Sequence, residues 1–209
     1  MSFALDHVVV RVPDPDGLAW QVSKATGLPV LRGWTPAGVV RSRGVRFANG
    51  PFLDIHEAAE PQAAYLGVRG PIAEAERLAI LHDWRVRGGQ GVGDFPWRIL
   101  LFRRGQGVLT AVFVIEYSPP GDPLWTGEDF SGELFRLGQG EGPRLRRVGL
   151  AAPEEETAEG LAEVLPPEVE VRIGPAAEVV GLEVAVPGAA RPERLQLTPS
   201  LALAVRPAP

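Results

Sequence analysis

The feature that most constrains this chain is a repeat. The opening "LDHVVVRVPDPDGLAW" has a second copy in "LRRVGLAAPEEETAEGLAEVL", which starts at residue 145. Leu5, Val8, Pro13 and Asp14 have counterparts 140 residues later in Leu145, Val148, Pro153 and Glu154. In both copies a strand ends at a proline, an acidic residue follows, and a helix opens. In the first copy Asp14 is expected to cap the helix with Pro15 at its first position, and Gly27 to stop it. In the second, the run Glu154–Glu156 suits the positive end of a helix dipole. With 209 residues there is room for one large domain or two small ones, and for a well-formed core.

Alternation along the first strand sets Val8, Val10 and Val12 on one face and His7, Val9 and Arg11 on the other. Three extended pieces follow the helix: "LPVLRGW", "VVRSRGVRFAN" and "GPFLDIHEA". In the last, Leu53 and Ile55 share a face with Glu57, while Phe52, Asp54 and His56 point the other way. The order is therefore strand, helix and about three strands, a unit assigned to residues 1–60. Residues 61–125 form a middle unit. There "GPIAEAERLAILHDWRVRGG" reads as a helix with apolar Ile72, Leu78 and Leu81, ended by Gly88. "FPWRILLFRRGQGVLTAVFVIEYSPPGDP" reads as a hairpin of two long strands turning at "GQG". Residues 126–209 hold the second copy, followed by the strands "VEVRIG", "GLEVAVPG" and "RLQLTP", with the loop-like "SPPGDPLWTGEDFSGE" as the boundary. The whole is an α+β architecture.

Composition narrows the function. A net charge of −5 argues against a nucleic-acid binder, since Arg144, Arg146 and Arg147 are too few to make a basic face. The chain has no cysteine, which removes disulfides, thiolate metal sites and a Cys nucleophile. No apolar run approaches the roughly 20 residues of a membrane span. "MSFALDHVVV" has no basic n-region and no long apolar h-region, so a cytoplasmic protein is expected. Abundant Pro and Gly, with Lys24 the only lysine, fit a high-GC bacterial genome. "RGGQGVGDF", residues 87–95, resembles a phosphate loop but lies between a helix and a strand and lacks the lysine, so it reads as a connection or a lid. No Ser–His–Asp triad can be assigned.

Taken together, "LDHVVVRVPD", the helix end "TGLPV" and "GVRFANGPFLDIHEAAE" resemble the glyoxalase-like branch of the vicinal oxygen chelate superfamily. The hairpin "PWRILLFRR…FVIEYSPP" and the later "GPRLRRVGLAAPEEETAEGLAEVL" look like the remaining parts of the same architecture. The resemblance implies paired βαβββ modules whose curved mixed sheets form a cup around a ligand, and often assembly in pairs as a homodimer. Members include metal-dependent lyases, isomerases, epimerases and extradiol dioxygenases, and small-molecule binding proteins of the bleomycin-resistance type that do no chemistry. In catalytic members the first strand of a module carries a His and the last a Glu. His7 stands at the first position and Asp54 is the nearest match to the second. In the later module Arg147 occupies the histidine position, and arginine is no metal ligand. Glu183 is a weak substitute there, and Glu116 supplies a ligand if the middle unit pairs with the first.

Alternation independently sets His7, Asp54 and His56 on one side of their strands. Two readings follow. In the first, an enzyme, His7, Asp54 and Glu116 bind a divalent Zn, Fe, Mn or Ni that polarises an oxygen substrate, with His56 as general base. In the second, a metal-free protein recognises a polar or anionic small molecule through His7, Arg11 and Arg147, with Arg98 as a third candidate. The plain alternative for the histidine is a hydrogen bond from His7 to Asp54 with no ligand at all. His82 reads as a surface residue, and Trp20, Trp34 and Trp97 as core or rim.

Overall fold

The alternation of "ALDHVVVRV" builds strand β1 (Ala4–Val12), with Val8, Val10 and Val12 buried. Asp14 then caps α1 (Pro15–Thr26) by accepting from the Gly17 N–H, and Gly27 closes it at φ +75°, where a side chain would be strained. The structure, a computed structural model, describes residues 3–32, 42–89, 97–103, 107–118, 141–153 and 161–208. Strands β2 (Leu31–Arg32), β3 (Ser42–Arg46) and β4 (Phe52–Glu57) complete a βαβββ unit, in which β4 returns parallel to β1.

The middle of the chain builds the same unit again. Strand β5 (Tyr65–Arg69) precedes α2 (Ile72–Leu81), and β6 (Val86–Gly89), β7 (Trp97–Phe102) and β8 (Val112–Tyr117) follow. The strand β5 was not anticipated, because "YLGVR" carries no long apolar run. The helix ends at Leu81, seven residues before Gly88, with Asp83 just beyond it at φ +53°, and Leu81 is exposed rather than part of an apolar stripe. A 3-10 helix (Gly107–Ala111) precedes the second long strand, and Gly105 and Gln106 of the expected turn at "GQG" lie outside the described residues. Strands β1 and β5 pair antiparallel, giving one eight-stranded sheet in the order β2-β3-β4-β1-β5-β8-β7-β6. The middle unit is therefore the one that pairs with the first.

The remaining strands, β9 (Arg144–Ala152), β10 (Val169–Ile173), β11 (Glu178–Val186), β12 (Glu193–Gln196) and β13 (Ala202–Pro207), form a second sheet ordered β10-β9-β11-β13-β12. Its pairings run parallel, antiparallel, parallel, antiparallel. The run β4-β1-β5-β8-β7 has the same sequence of pairings. The smaller sheet is thus a shortened copy of the larger one, and β9 lies 140 residues after β1. A helix α3 (Leu161–Val164) lies between β9 and β10, and no helix separates β11 from β12. The acidic run Glu154–Glu156 and most of the expected boundary loop lie outside the described residues, as does Trp34.

Both sheets turn one face to a single apolar core. Val8, Val10, Leu53, Ile55, Leu66 and Val68 come from the larger sheet, and Leu145, Val148, Leu150, Leu182, Val184 and Leu203 from the smaller. Backbone bonds lock the seam: the Ala48 N–H donates to the Pro143 carbonyl and the Val179 N–H to that of Ala64. Asn49 acts as a strand neighbour to Leu145, donating to its carbonyl at 2.8 Å and accepting from its N–H at 3.0 Å. Among the described residues no helix is long and apolar enough to cross a membrane.

Candidate functional site

The face of the larger sheet that turns away from this core is concave, and its residues follow from register. His7 lies beside Phe52 on β4 and Gly67 on β5, Val9 beside Asp54 and Tyr65, and Arg11 beside His56. Phe113 on β8 sits beside Gly67, with Leu101 next to it and Arg87 beyond. A cavity of about 970 Å³ opens over this face, lined by Val9, Ile99, Leu101 and Phe113 on its apolar floor. Arg11, His56, Tyr65, Arg87, Arg103 and Thr110 supply the polar lining. No carboxylate is among the described residues that line it.

His7 faces the same side but does not reach the cavity. It is 6% exposed. Its ring stacks on Phe52 at 4.7 Å and meets the edge of Phe113 at 5.2 Å. Gly67 makes the room: a Cβ there would lie 2.8 Å from both His7 Cε1 and Phe113 Cζ. The histidine therefore fills the floor as a packed ring. Its Nδ1 bonds Asp6 Oδ2 at 2.6 Å, not Asp54. A register shift between Leu5 and His7 marks a β-bulge, and such an extra residue breaks strict alternation. Asp6 consequently sits on the His7 side, where the Tyr117 hydroxyl also donates to Oδ2 at 2.7 Å. Burial raises the Asp6 pKa, but the hydrogen bonds from His7 and Tyr117 and the charges of His7 and Arg69 outweigh it and hold the carboxyl below its ordinary range. An ionised carboxylate only accepts, so Nδ1 carries the proton. Burial and the Asp6 charge push the Tyr117 phenol well above its usual value, so it remains a donor.

The other candidates separate cleanly. Asp54 and His56 come together, Oδ2 to Nε2 at 2.7 Å, and His56 forms part of the cavity wall. Burial lowers the His56 pKa, Arg11 lowers it further, and the bond and charge of Asp54 overcome both, so the net shift is upward. Arg11 lines the cavity and donates to Gln62 at 3.3 Å. Glu116 alternates to the opposite side of β8 from Phe113 and Tyr117, where it is paired with Arg98, so neither residue joins the set. Arg147 belongs to the second sheet and pairs with exposed Glu170 at 2.6 Å. It does not share a cavity with Arg11. His82 stacks on Trp84 and bonds Glu163 at 3.0 Å, while Trp20 lies exposed beside Lys24.

The residues expected to hold a metal are thus not brought together. His7 is sealed and committed to Asp6, Asp54 to His56, and Glu116 lies across the sheet. Among the described residues no three His, Asp or Glu side chains are grouped so that they could hold a metal ion. Arg87, Arg103 and Tyr65 were missed by sequence reasoning. The signal for Arg87 was the alternation of "RVRGG", obscured because that stretch was assigned to a helix. Residues 90–95 of the expected connection or lid lie outside the described residues.

No protein-family model matches the chain, and no curated protein does. Solved structures match along its whole length at low identity. A hypothetical protein from Staphylococcus aureus is 8% identical with a TM-score of 0.70, over 99% of this chain and 100% of that one. The 2,2',3-trihydroxybiphenyl 1,2-dioxygenase from Sphingomonas wittichii strain RW1 is 9% identical with a TM-score of 0.61, over 99% and 90%. The 2,3-dioxygenase LapB from Pseudomonas sp. KL28 is 12% identical with a TM-score of 0.59, over 100% and 93%. The chain shares the fold of these dioxygenases, α+β with two curved mixed sheets.

Proposed function

We propose that the protein binds a small organic anion in the hollow of its larger sheet, without a metal ion. The observation that carries this is the composition of the lining: Arg11, Arg87, Arg103 and His56 stand on the wall, and no carboxylate is among the described lining residues, in a chain whose net charge is −5. A concave wall of one sign focuses the field on an incoming ion of the other. Val9, Ile99, Leu101 and Phe113 would take the apolar body, the usual division of labour in a small-molecule site. The test is calorimetric titration with 2-naphthoate against its neutral amide. The acid should bind and the amide should not. Arg11→Ala and Arg87→Ala should each weaken binding about tenfold, as expected for a lost charge-assisted hydrogen bond. Equal binding of acid and amide, or indifference to both substitutions, would refute the proposal.

Protonation of His56 supplies a pH signature. Its folded pKa is raised above 6.5, so below that value the imidazolium is fully present and assists the anion. As pH rises through the folded pKa this contribution is lost, and affinity should fall. A titration series across neutral pH checks it, and His56→Gln should flatten the profile.

A second reading, catalysis, is favoured by one observation, the Asp54–His56 pair on the cavity wall. A carboxylate that fixes one ring nitrogen leaves the other to take a proton from a bound substrate. The fold is shared with proteins named as dioxygenases, and a divalent ion would supply Lewis-acid chemistry. The described side chains do not form a donor set for one, so no step is derived through it. Stoichiometric metal in protein purified without a histidine tag would favour this reading over the first.

A further inference from the structure

Among the described residues the smaller sheet ends at β10, which is paired on one side only, with β9. Natural edge strands are normally shortened, bulged, charged, covered or interrupted by proline, and β10 carries the charges Glu170 and Arg172. β10 runs in unbroken parallel register from Val169 opposite Val148 to Ile173 opposite Ala152. Val171 is 38% exposed and Ile173 65%. In a parallel pair, alternate residues turn both backbone groups to the neighbour. The Val148 N–H donates to the Glu168 carbonyl, and the Gly174 N–H to that of Ala152. Glu170 and Arg172 therefore face β9, and Val169, Val171 and Ile173 present their backbone groups outward. Of these, the Val169 N–H is already used by the Pro166 carbonyl.

We propose that β10 pairs antiparallel with β10 of a second copy of this chain, Val171 opposite the partner's Val171, so that the two smaller sheets become one. The strand "VEVRI" is complementary to itself in that register. Glu170 falls opposite the partner's Arg172, and Val169 opposite the partner's Ile173. Opposite charges and apolar pairs facing across strands are the stabilising unit of a sheet. The backbone agrees with the side chains. The two Val171 residues exchange N–H···O bonds, and on each side the Ile173 N–H meets the carbonyl of the partner's Val169. Sliding the register to centre on Val169 would instead set Glu168 against the partner's Glu170, a like-charge clash. Arg172, whose guanidinium lies over Gly149 and Gly181, reaches its new acid by turning about its side-chain bonds. The pairing also covers Val171 and Ile173.

Sedimentation equilibrium of the full chain over a concentration series tests this. An interface built mainly on one strand is at the small end for specific pairs, so a dissociation constant on the order of micromolar is expected. Val171→Pro removes an N–H that points away from β9, which an edge strand tolerates; it should leave the circular dichroism spectrum and melting temperature near the parent's while giving a monomer. Arg172→Glu faces acid with acid and should weaken association about tenfold. The double variant Glu170→Arg/Arg172→Glu should restore it, because the intrachain Arg147–Glu170 pair it sacrifices is exposed and contributes little. A parent chain that stays monomeric throughout would overturn the proposal, as would a dimer indifferent to both single substitutions. Failure of the double variant to recover would overturn the register.

Discussion

An Asp6→Ala variant should lose about 3–5 kcal/mol of unfolding free energy at neutral pH, the range for removing one member of a buried ionic cluster. Asp6 is buried beneath the cup floor and accepts from His7 Nδ1 and from the Tyr117 hydroxyl through one oxygen. Its charge also favours the Arg46 guanidinium, whose pKa burial lowers. Alanine leaves the buried His7 ring and the partly buried Tyr117 hydroxyl facing a void and withdraws the acceptor they share. Tyr117→Phe removes a single donor and should lose only about 1 kcal/mol, so the two variants together separate loss of the acceptor from loss of one bond. The pH dependence has a definite sign. The folded pKa of Asp6 lies below its ordinary 3.8, so its contribution is complete above that value and disappears as pH falls through the folded pKa. Urea denaturation should show the gap between parent and Asp6→Ala narrowing in acid. A gap that is under 1 kcal/mol at neutral pH, or that widens in acid, would refute this account of the floor.

Leu109→Ala should be the most damaging single truncation at the seam between the sheets. Leu109 is fully buried in the 3-10 helix (Gly107–Ala111). That helix packs against β7 and β8 of the larger sheet and against β9 and β11 of the smaller. Removing its side chain opens a cavity that neither sheet can close, because each is already fixed by its own ladder. A loss of about 3 kcal/mol is expected, which for a chain of this size lowers the melting temperature by about 6–12 °C. Leu109→Met keeps the volume and should lose less than about 1.5 kcal/mol. Calorimetric melting of both variants checks the pair, and equal melting temperatures would show that the seam does not depend on packing at this position.

Local rules in the sequence were enough for much of the architecture. The Asp14–Pro15 start and Gly27 stop of α1 depend on capping and φ preference, which act within a few residues. The faces of β4 depend on a period of two, so Asp54 and His56 were correctly set on one side of the strand, away from Leu53 and Ile55. The 140-residue repeat placed β9 as the second β1. Where a local rule was broken, the inference failed with it. One inserted residue in β1 carried Asp6 to the His7 side and turned the histidine from a free ligand into a hydrogen-bonded ring. Glu116 looked available because nothing near it in sequence shows that it alternates away from Phe113 and meets Arg98.

The sequence by itself determined the elements of the first unit, the repeat, and which side chains share a face of β4, since each follows from backbone sterics over a handful of residues. Only the tertiary structure decided which unit lies beside which, and hence that Arg11 shares a hollow with Arg87 and Arg103 and not with Arg147. It also decided that Gly67 on a neighbouring strand leaves room for the His7 ring to be sealed between Phe52 and Phe113. Those outcomes depend on strand order and register between segments far apart in the chain, which are set by how the apolar faces pack together, and no short window of residues encodes that.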